Sequence, residues 1–150
     1  MDLILWRHAD AAPGEPDMDR PLTAKGHRQA ARVGAWLDQR LATKCEILVS
    51  PAIRAQQTAA ALERKFKTRD ELAPDASPQR MLAAAGWPDA RKTVVIVGHQ
   101  PALGEAAALL MAGEASEWWM QKGALWWLAH RQRSRGPAVV LRVAIAADFV

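Results

Sequence analysis

The sequence contains a single cysteine, Cys45, so it can form no internal disulfide and offers no set of thiols for a structural zinc site. It also lacks any apolar run approaching the roughly 18 residues needed to cross a bilayer. No basic segment with a long apolar run precedes the first strand-like residues, and no repeat or linker divides the chain. These absences predict a cytoplasmic protein with a single domain over residues 1–150.

Charge gives a weaker indication. The formal net charge of +4 and the pI of about 9.7 favour anionic partners without specifying which ones. The most basic stretch, Arg131–Arg135, is interpreted as a solvated hairpin tip, because no aromatic platform or groove-reading helix accompanies it. We therefore predict neither a nucleic-acid partner nor a membrane partner.

Hydrophobic periodicity predicts an α/β protein. Leu3–Trp6, Ile47–Val49 and Thr93–Val97 are apolar runs rich in branched residues, as expected of parallel strands buried on both faces. Two segments have apolar residues at helical spacing. The first segment lies between the first two strands, and the other follows the second strand. One is opened by Thr23 and the other by Ser50-Pro51 as N-cap and first residue. Their inward positions are Ala30, Val33, Gly34, Leu37 and Leu41 in the first, and Ala55, Ala59, Leu62 and Phe66 in the second.

The second half of the chain changes character towards its end. A short helix is predicted around Gln79–Ala85, and a longer one from Gln100-Pro101 to near Gly113. Ala124–Ala129 and Ala138–Ile145 are predicted as two strands of a hairpin, joined by the basic turn Arg131–Pro137.

Each of the three apolar runs ends in residues suited to bind an anion. The first is followed by Arg7-His8, the second by Ser50-Pro51 and then Arg54, and the third by His99. If the runs are neighbouring parallel strands, these residues meet at one edge of the sheet, where open α/β folds bind ligands. The polar loop 11–21, which contains Arg20, leads away from Arg7-His8 and is placed to overhang that edge.

The residue types indicate phosphoryl chemistry. The planar guanidinium groups of Arg7 and Arg54 suit a phosphate. Arg54 lies near the start of the second predicted helix, where the helix dipole disfavours a cation, and a bound anion offsets that cost. Flanking cations keep His8 neutral, so that it can attack phosphorus, and His99 can stabilise the transition state. Taken singly, each motif has an ordinary structural explanation, such as helix capping by His99. Their combination favours a site.

Together these residues resemble the four signatures of the histidine phosphatase superfamily, in the expected order, and are most similar to the SixA-type phosphohistidine phosphatases. The resemblance extends from Leu3 to about Leu110. The four motifs are Leu5-Trp6-Arg7-His8-Ala9-Asp10-Ala11, Arg20-Pro21-Leu22-Thr23-x-x-Gly26, Val49-Ser50-Pro51-x-x-Arg54-Ala55-x-x-Thr58 and Val97-Gly98-His99-Gln100-Pro101.

The resemblance implies a three-layer α/β/α sandwich of phosphoglycerate mutase-like fold, with a mostly parallel sheet and an antiparallel edge. It implies His8 as the phosphorylated nucleophile, a pocket of Arg7, Arg54 and His99, a supplementary phosphate contact from Arg20, and no metal or organic cofactor. The expected substrate is phosphohistidine on a protein. A phosphatase for small phosphoesters and a catalytically weak phosphate-binding module stay open as alternatives.

Two features depart from the family pattern. Position 9, usually glycine, is Ala9. The carboxylic acid that protonates the leaving group in larger members has no clear counterpart, and Glu71, Asp75 and Asp10 are the candidates. Without such an acid, substrates with an easily protonated leaving group, such as a phosphoramidate, are favoured.

The sequence is rich in tryptophan, with seven residues of this type. Core packing is the first interpretation of Trp118, Trp119, Trp126 and Trp127. The alternative is that Trp118 and Trp119, with Lys122, line the rim of the pocket or a docking surface.

Overall fold

The computed structural model describes all 150 residues and has the three-layer α/β/α architecture predicted from the sequence. Six strands form one sheet in the order β3-β2-β4-β1-β5-β6. The strands are β1 (Asp2–Arg7), β2 (Cys45–Val49), β3 (Lys67–Thr68), β4 (Thr93–Gly98), β5 (Leu125–Arg133) and β6 (Gly136–Ile145). The helices are α1 (Ala24–Asp38), α2 (Ile53–Ala60), α3 (Pro78–Ala84) and α4 (Ala102–Ala112).

The three predicted central strands are neighbours and run parallel, with β4 between β2 and β1. The hairpin β5–β6 continues the sheet as an antiparallel edge beside β1. The mostly parallel sheet with an antiparallel edge is therefore confirmed.

Alternating residues of the buried strands pack against helices on both sides of the sheet. Leu3 and Leu5 of β1 face α3 and α4, whereas Ile4 and Trp6 face α1 and α2. All four side chains are fully buried. No helix combines the length and the apolar character required for a membrane span.

Helix termini follow local capping chemistry in most places. Thr23 accepts a hydrogen bond from the Gly26 amide at the start of α1, and Ser77 does the same for α3. Gly113 ends α4 with a positive φ of 80°. The first, third and fourth predicted helices are confirmed to within a turn, although Leu41 packs in the core beyond the end of α1.

The predicted start of the second helix is wrong. Helix α2 begins at Ile53, because the Ser50 hydroxyl accepts a hydrogen bond from the Ala52 amide in a turn that precedes the helix. Leu62 and Phe66 lie beyond its end and pack against the same core from the following loop. The turn Ser50–Ala52 places the Ser50 hydroxyl against His99, directly after β4, and Ser50 does not cap α2.

Two strand predictions also need correction. The hairpin turn is shorter than predicted, since β5 continues to Arg133 and β6 starts at Gly136. An exposed antiparallel ladder tolerates charged side chains, so the basic segment is mostly strand. Strand β3 was not predicted, because its two residues are both exposed and carry no apolar pattern.

Candidate functional site

The carboxyl ends of β1, β2 and β4 meet at one edge of the sheet and bring the predicted residues together. The His8 amide donates to the Gly98 carbonyl at 3.0 Å, and the Ser50 amide donates to the Val97 carbonyl at 3.0 Å. The ring centroids of His8 and His99 are 5.0 Å apart. The parallel register of three buried strands therefore sets the spacing of the side chains at this edge.

The hydrogen bond of His8 determines which ring nitrogen is available. Its Nδ1 lies 2.8 Å from the Ala9 carbonyl oxygen, which can only accept, so Nδ1 carries the proton. Burial lowers the pKa of His8 to about 4, with Arg54 and Arg7 acting in the same direction and the Ala9 hydrogen bond opposing them. At neutral pH the ring is uncharged, and its Nε2 keeps a free lone pair.

Arg7 and Arg54 are buried cations, and in both residues the terminal Nη atoms of the guanidinium group make the hydrogen bonds. Arg7 Nη1 donates to the Met120 carbonyl at 2.6 Å. Arg54 Nη1 donates to the Asp17 carbonyl at 2.8 Å, and its Nη2 donates to the Asp17 carboxylate at 3.0 Å. The Nε atoms of both arginines are buried without a hydrogen-bond partner. Each guanidinium therefore keeps its Nε side unpaired.

The hydroxyl group of Thr58 links helix α2, which carries Arg54, to the loop after β1. Thr58 donates to the Arg54 carbonyl at 2.7 Å and accepts from the Ala9 amide at 3.0 Å. Thr58 is fully buried. This pair of hydrogen bonds couples the helix that carries Arg54 to the segment that carries His8.

His99 contributes the third unpaired group. Its Nε2 lies 2.7 Å from the Ser50 hydroxyl, and its Nδ1 is buried without a partner. Burial lowers the pKa of His99 to about 3, and the neighbouring His8 and Arg54 add to this effect. In the tautomer that accepts the Ser50 hydroxyl proton, Nδ1 carries a proton and can donate to an oxyanion.

The structure holds three buried side-chain nitrogens without a hydrogen-bond partner, and all three belong to this cluster: Arg7 Nε, Arg54 Nε and His99 Nδ1. Buried polar groups are normally paired, because leaving one unmet costs about 1–3 kcal/mol. An oxyanion bound beside His8 would satisfy this set. No group of three or more histidine, cysteine, aspartate or glutamate side chains is arranged to hold a metal ion.

Arg20 lies on the same loop as Asp17 and is bound within it. Its Nε donates to the Ala12 carbonyl at 2.8 Å, and its Nη1 pairs with the Asp17 carboxylate at 3.0 Å. Its positive charge contributes to the lowered pKa of His8. Arg20 is thus part of the electrostatic surroundings of the site, with a guanidinium that contacts its own loop.

Several contributors were missed from the sequence. Asp17 and the Met120 carbonyl, which hold the two arginines, carry no local signal of their role. Ser50 and Thr58 lie inside the recognised motif, but Ser50 was assigned to helix capping. The spacing of Asp17 three residues before Arg20 is compatible with a local ion pair and was the one available clue.

The three candidate carboxylates are engaged elsewhere or exposed. Hydrogen bonds from Arg69 hold the pKa of Glu71 below its usual range. Hydrogen bonds from Thr23 and then Lys122 do the same for Asp10. Asp75 is exposed. A general acid needs a pKa raised towards the working pH, so the lowered pKa values disfavour Glu71 and Asp10 as proton donors.

Ala9 fits its position without strain. Its side chain is fully buried and packs in a small cluster with Leu22 and Ala30. Its φ is not positive, so no glycine is required there. A glycine is required nearby, at Gly26, since a Cβ there would lie 2.0 Å from the Asp10 carbonyl oxygen.

The tryptophans divide between the two interpretations. Trp126 and Trp127 pack against opposite faces of the sheet, as core residues of the two sides. Trp118 is half-buried beside Trp126. Trp119 is 71% exposed and lies over the Arg7 guanidinium, 4.9 Å from its carbon. Trp119 is therefore the member that lines the rim of the site.

An α/β sheet edge with two buried arginines and two uncharged histidines has the residue types of a phosphoryl-transfer site. The chain matches the histidine phosphatase superfamily (branch 1) over residues 3–77. It is 41% identical to a protein of unassigned function from Picosynechococcus sp., over 76% of this chain and 75% of that protein. It is 32% identical to a phosphohistidine phosphatase SixA homolog from Haemophilus influenzae, over 73% of this chain and 77% of that one.

Solved structures share the fold of this chain, which is phosphoglycerate mutase-like. The protein histidine phosphatase SixA complexed with tungstate superposes with a TM-score of 0.78, at 24% identity and over 99% of both chains. The chain belongs to the histidine phosphatase superfamily, in its SixA-type group. It is a phosphatase, and its substrates carry a phosphoryl group.

Proposed function

We propose that the protein removes the phosphoryl group from phosphohistidine on a protein, through a phosphorylated His8 intermediate and without a metal ion. The observation that carries the proposal is the His8 hydrogen bond to the Ala9 carbonyl, because it directs the unprotonated Nε2 away from the backbone. The free Nε sides of Arg7 and Arg54 support a phosphate position beside that nitrogen.

The reaction then has two displacements. His8 Nε2 attacks phosphorus, the bond from phosphorus to the substrate imidazole breaks, and the released imidazole nitrogen takes a proton from solvent. Water then attacks the phosphorus on His8, the bond from phosphorus to Nε2 breaks, and inorganic phosphate leaves with its proton balance met by solvent. Arg7, Arg54 and His99 donate hydrogen bonds to the phosphoryl oxygens as charge shifts in both steps.

The choice of substrate rests on the state of the carboxylates. A phosphoserine ester needs an acid to protonate its alkoxide, whereas an imidazole leaving group is protonated readily by water. The lowered pKa values of Glu71 and Asp10 disfavour both as proton donors, and the third candidate, Asp75, is exposed. The name of the Haemophilus influenzae relative agrees with this substrate class.

The test is a rapid-quench experiment with a phosphohistidine peptide labelled on phosphorus, performed in EDTA. We expect an acid-labile phosphoprotein in the wild type and none in His8→Ala, together with a loss of hydrolysis of at least about 10⁴-fold, as for removal of a catalytic nucleophile. Hydrolysis of a phosphoserine peptide serves as the comparison. Faster hydrolysis of the ester would favour the small-phosphoester alternative, and stoichiometric binding without labelled protein would favour the binding module.

A further inference from the structure

Asp17 makes the most direct contact of any carboxylate with the arginines of the site. It lies in a short 3-10 turn, Asp17–Asp19, within the loop that follows β1. Its carboxylate pairs with Arg54 at 3.0 Å on one oxygen and with Arg20 at 3.0 Å on the other. The Arg54 side chain is only 5% exposed, whereas that of Asp17 is 55% exposed. A surface residue thus reaches down to a buried cation.

The contact occupies one particular edge of the Arg54 guanidinium. Nη1 donates to the Asp17 carbonyl oxygen and Nη2 to its carboxylate, so the outer edge formed by these two nitrogens is filled. Nε, on the side edge that it shares with Nη2, is buried and has no partner. A guanidinium has two such forks, and either can bind two oxygens of a carboxylate or phosphate. Asp17 takes one fork and leaves the other free.

Arg7 provides an independent comparison for this arrangement. Its Nη1 is likewise held, by the Met120 carbonyl, and its Nε is likewise buried and unpaired. Both arginines are therefore fixed through Nη atoms and keep the Nε side available. The difference is that Arg7 is held by a neutral carbonyl, whereas Arg54 is held by a carbonyl and a carboxylate of the same residue.

We infer that Asp17 is a positioning residue for Arg54, which fixes the outer edge of the guanidinium so that its Nε side faces the phosphoryl group bound at His8. The inference rests on the proposed function. Arginine has a flexible side chain, and fixing the guanidinium before the substrate arrives removes part of the entropic cost of ordering it from the reaction.

A carboxylate beside a phosphate site also has an electrostatic cost, which the surrounding groups reduce. Arg20 takes the second carboxylate oxygen and is itself held by the Ala12 carbonyl. The negative charge of Asp17 is therefore shared between two guanidinium groups. The opposite hypothesis is that Asp17 competes with the phosphoryl group for Arg54, and the two hypotheses predict opposite effects of removing the carboxylate.

The experiment measures kcat and KM for a phosphohistidine peptide and the inhibition constant of orthovanadate. For Asp17→Ala we expect a fall of about tenfold in kcat/KM, mainly in kcat, and vanadate inhibition weakened by a similar factor, as for one charge-assisted hydrogen bond. Asp17→Asn keeps an acceptor oxygen and the backbone contact, so we expect a loss of only about threefold. Asp19→Ala is the matched control, since it removes the same charge from the same turn without an arginine contact, and we expect no more than about a twofold change.

A double-mutant cycle shows whether Asp17 acts through Arg54. In an Arg54→Met background, Asp17→Ala is expected to reduce kcat/KM by less than about twofold further, because the group that it positions is gone. Full additivity of the two losses, unchanged kinetics in Asp17→Ala, or tighter vanadate binding in that variant would overturn the inference. If Arg54→Met itself retains full activity and vanadate binding, the proposed function has failed instead, which separates the two failures.

Discussion

The two ends of β1 carry two charge clusters of opposite design. At its start, the Asp2 carboxylate accepts from Arg131 at 2.7 Å, from Arg142 at 2.6 Å and from the Trp127 indole at 2.8 Å. At its end, Arg7 and His8 are buried. The carboxylate of that region, Asp17, pairs with Arg54 and Arg20 and not with Arg7. The four residues Leu3–Trp6 of one strand lie between a cluster whose charged groups are paired and a cluster that keeps three buried nitrogens unpaired.

The two clusters differ in which charged group is buried and in whether its hydrogen-bonding atoms are all paired. Around Asp2 the acid is the more buried member, with its side chain 14% exposed, whereas the side chains of its two arginines are nearly half exposed. Burial alone would raise the pKa of Asp2, but the hydrogen bonds from Arg131, Trp127 and Arg142 outweigh it and leave the pKa lowered. Around His8 the cations are the buried members, and burial lowers the pKa of Arg7. Buried cations with unpaired donors are typical of a site for an anionic ligand.

The strongest test of this comparison is to replace one arginine at each end of β1. Arg7→Met keeps the aliphatic stem and removes the donors, so we expect kcat/KM to fall by about 10²–10³-fold, the usual cost of one oxyanion donor. The free energy of unfolding is expected to change by less than about 1 kcal/mol, because removing a buried cation offsets the loss of its hydrogen bond to Met120. Steady-state kinetics and urea unfolding of the same preparation provide both numbers.

Arg142→Met is the matched variant at the other end of the strand. Its ion pair with Asp2 is partly exposed, so its loss is expected to lower the free energy of unfolding by about 0.5–1 kcal/mol while kcat/KM stays within about twofold. The comparison would be wrong if Arg142→Met impaired catalysis as strongly as Arg7→Met, or if Arg7→Met unfolded the protein.

Lowering the pH affects the two ends of β1 in different pH ranges, because the histidines lie near one end and the Asp2 carboxylate lies at the other. The unfolded chain binds protons on histidine near pH 6.5, whereas folded His8 and His99 bind them only near about 4 and about 3. The unfolded state therefore holds more protons below pH 6.5, and the free energy of unfolding falls as pH decreases from 6.5 towards 4. We expect a loss on the order of 3 kcal/mol per ring over that range.

The carboxylate end contributes in a lower window. Asp2 has a lowered pKa, so the stability that it provides is present above its unfolded value of 3.8 and is lost only below it. Urea unfolding between pH 7 and pH 4.5 thus isolates the histidines. His8→Gln and His99→Gln are expected to flatten the pH dependence, and His27→Gln, which removes an exposed histidine, serves as the control. A midpoint near 6.5 in an NMR titration of His8 would contradict the expectation.

The same contrast explains which parts of the structure the sequence predicts. The buried strands β1, β2 and β4 are continuous apolar runs, and their parallel pairing puts Arg7, His8 and His99 at one edge whatever the details of the loops. The sequence also predicts the helices that cover both faces, because their apolar stripes have a helical period. These features depend on burial, which leaves a pattern in the chain.

The partners that hold the site leave no such pattern. The Met120 carbonyl is a backbone group, and Asp17 is an exposed residue in a proline-containing loop, so neither changes the periodicity of the sequence. Ser50 was assigned to capping because a serine before proline is typical of a helix start, whereas the tertiary contact with His99 takes its hydroxyl. Long-range hydrogen bonds to loop backbone are fixed by packing and cannot be read from local spacing.

The smallest expected effect concerns Glu71, which resembles Asp2 in being a carboxylate matched to an arginine. Arg69 pairs with it at 3.1 Å, and this contact lowers its pKa. We expect Glu71→Gln to change kcat by less than about twofold, both for a phosphohistidine peptide and for p-nitrophenyl phosphate, since neither leaving group requires an acid. Asp70→Asn, at an exposed neighbouring carboxylate, is the control for a nearby charge. A tenfold fall in kcat for a phosphoserine peptide, with no change for p-nitrophenyl phosphate, would instead make Glu71 the proton donor and place it with His8 among the groups whose charge serves the reaction.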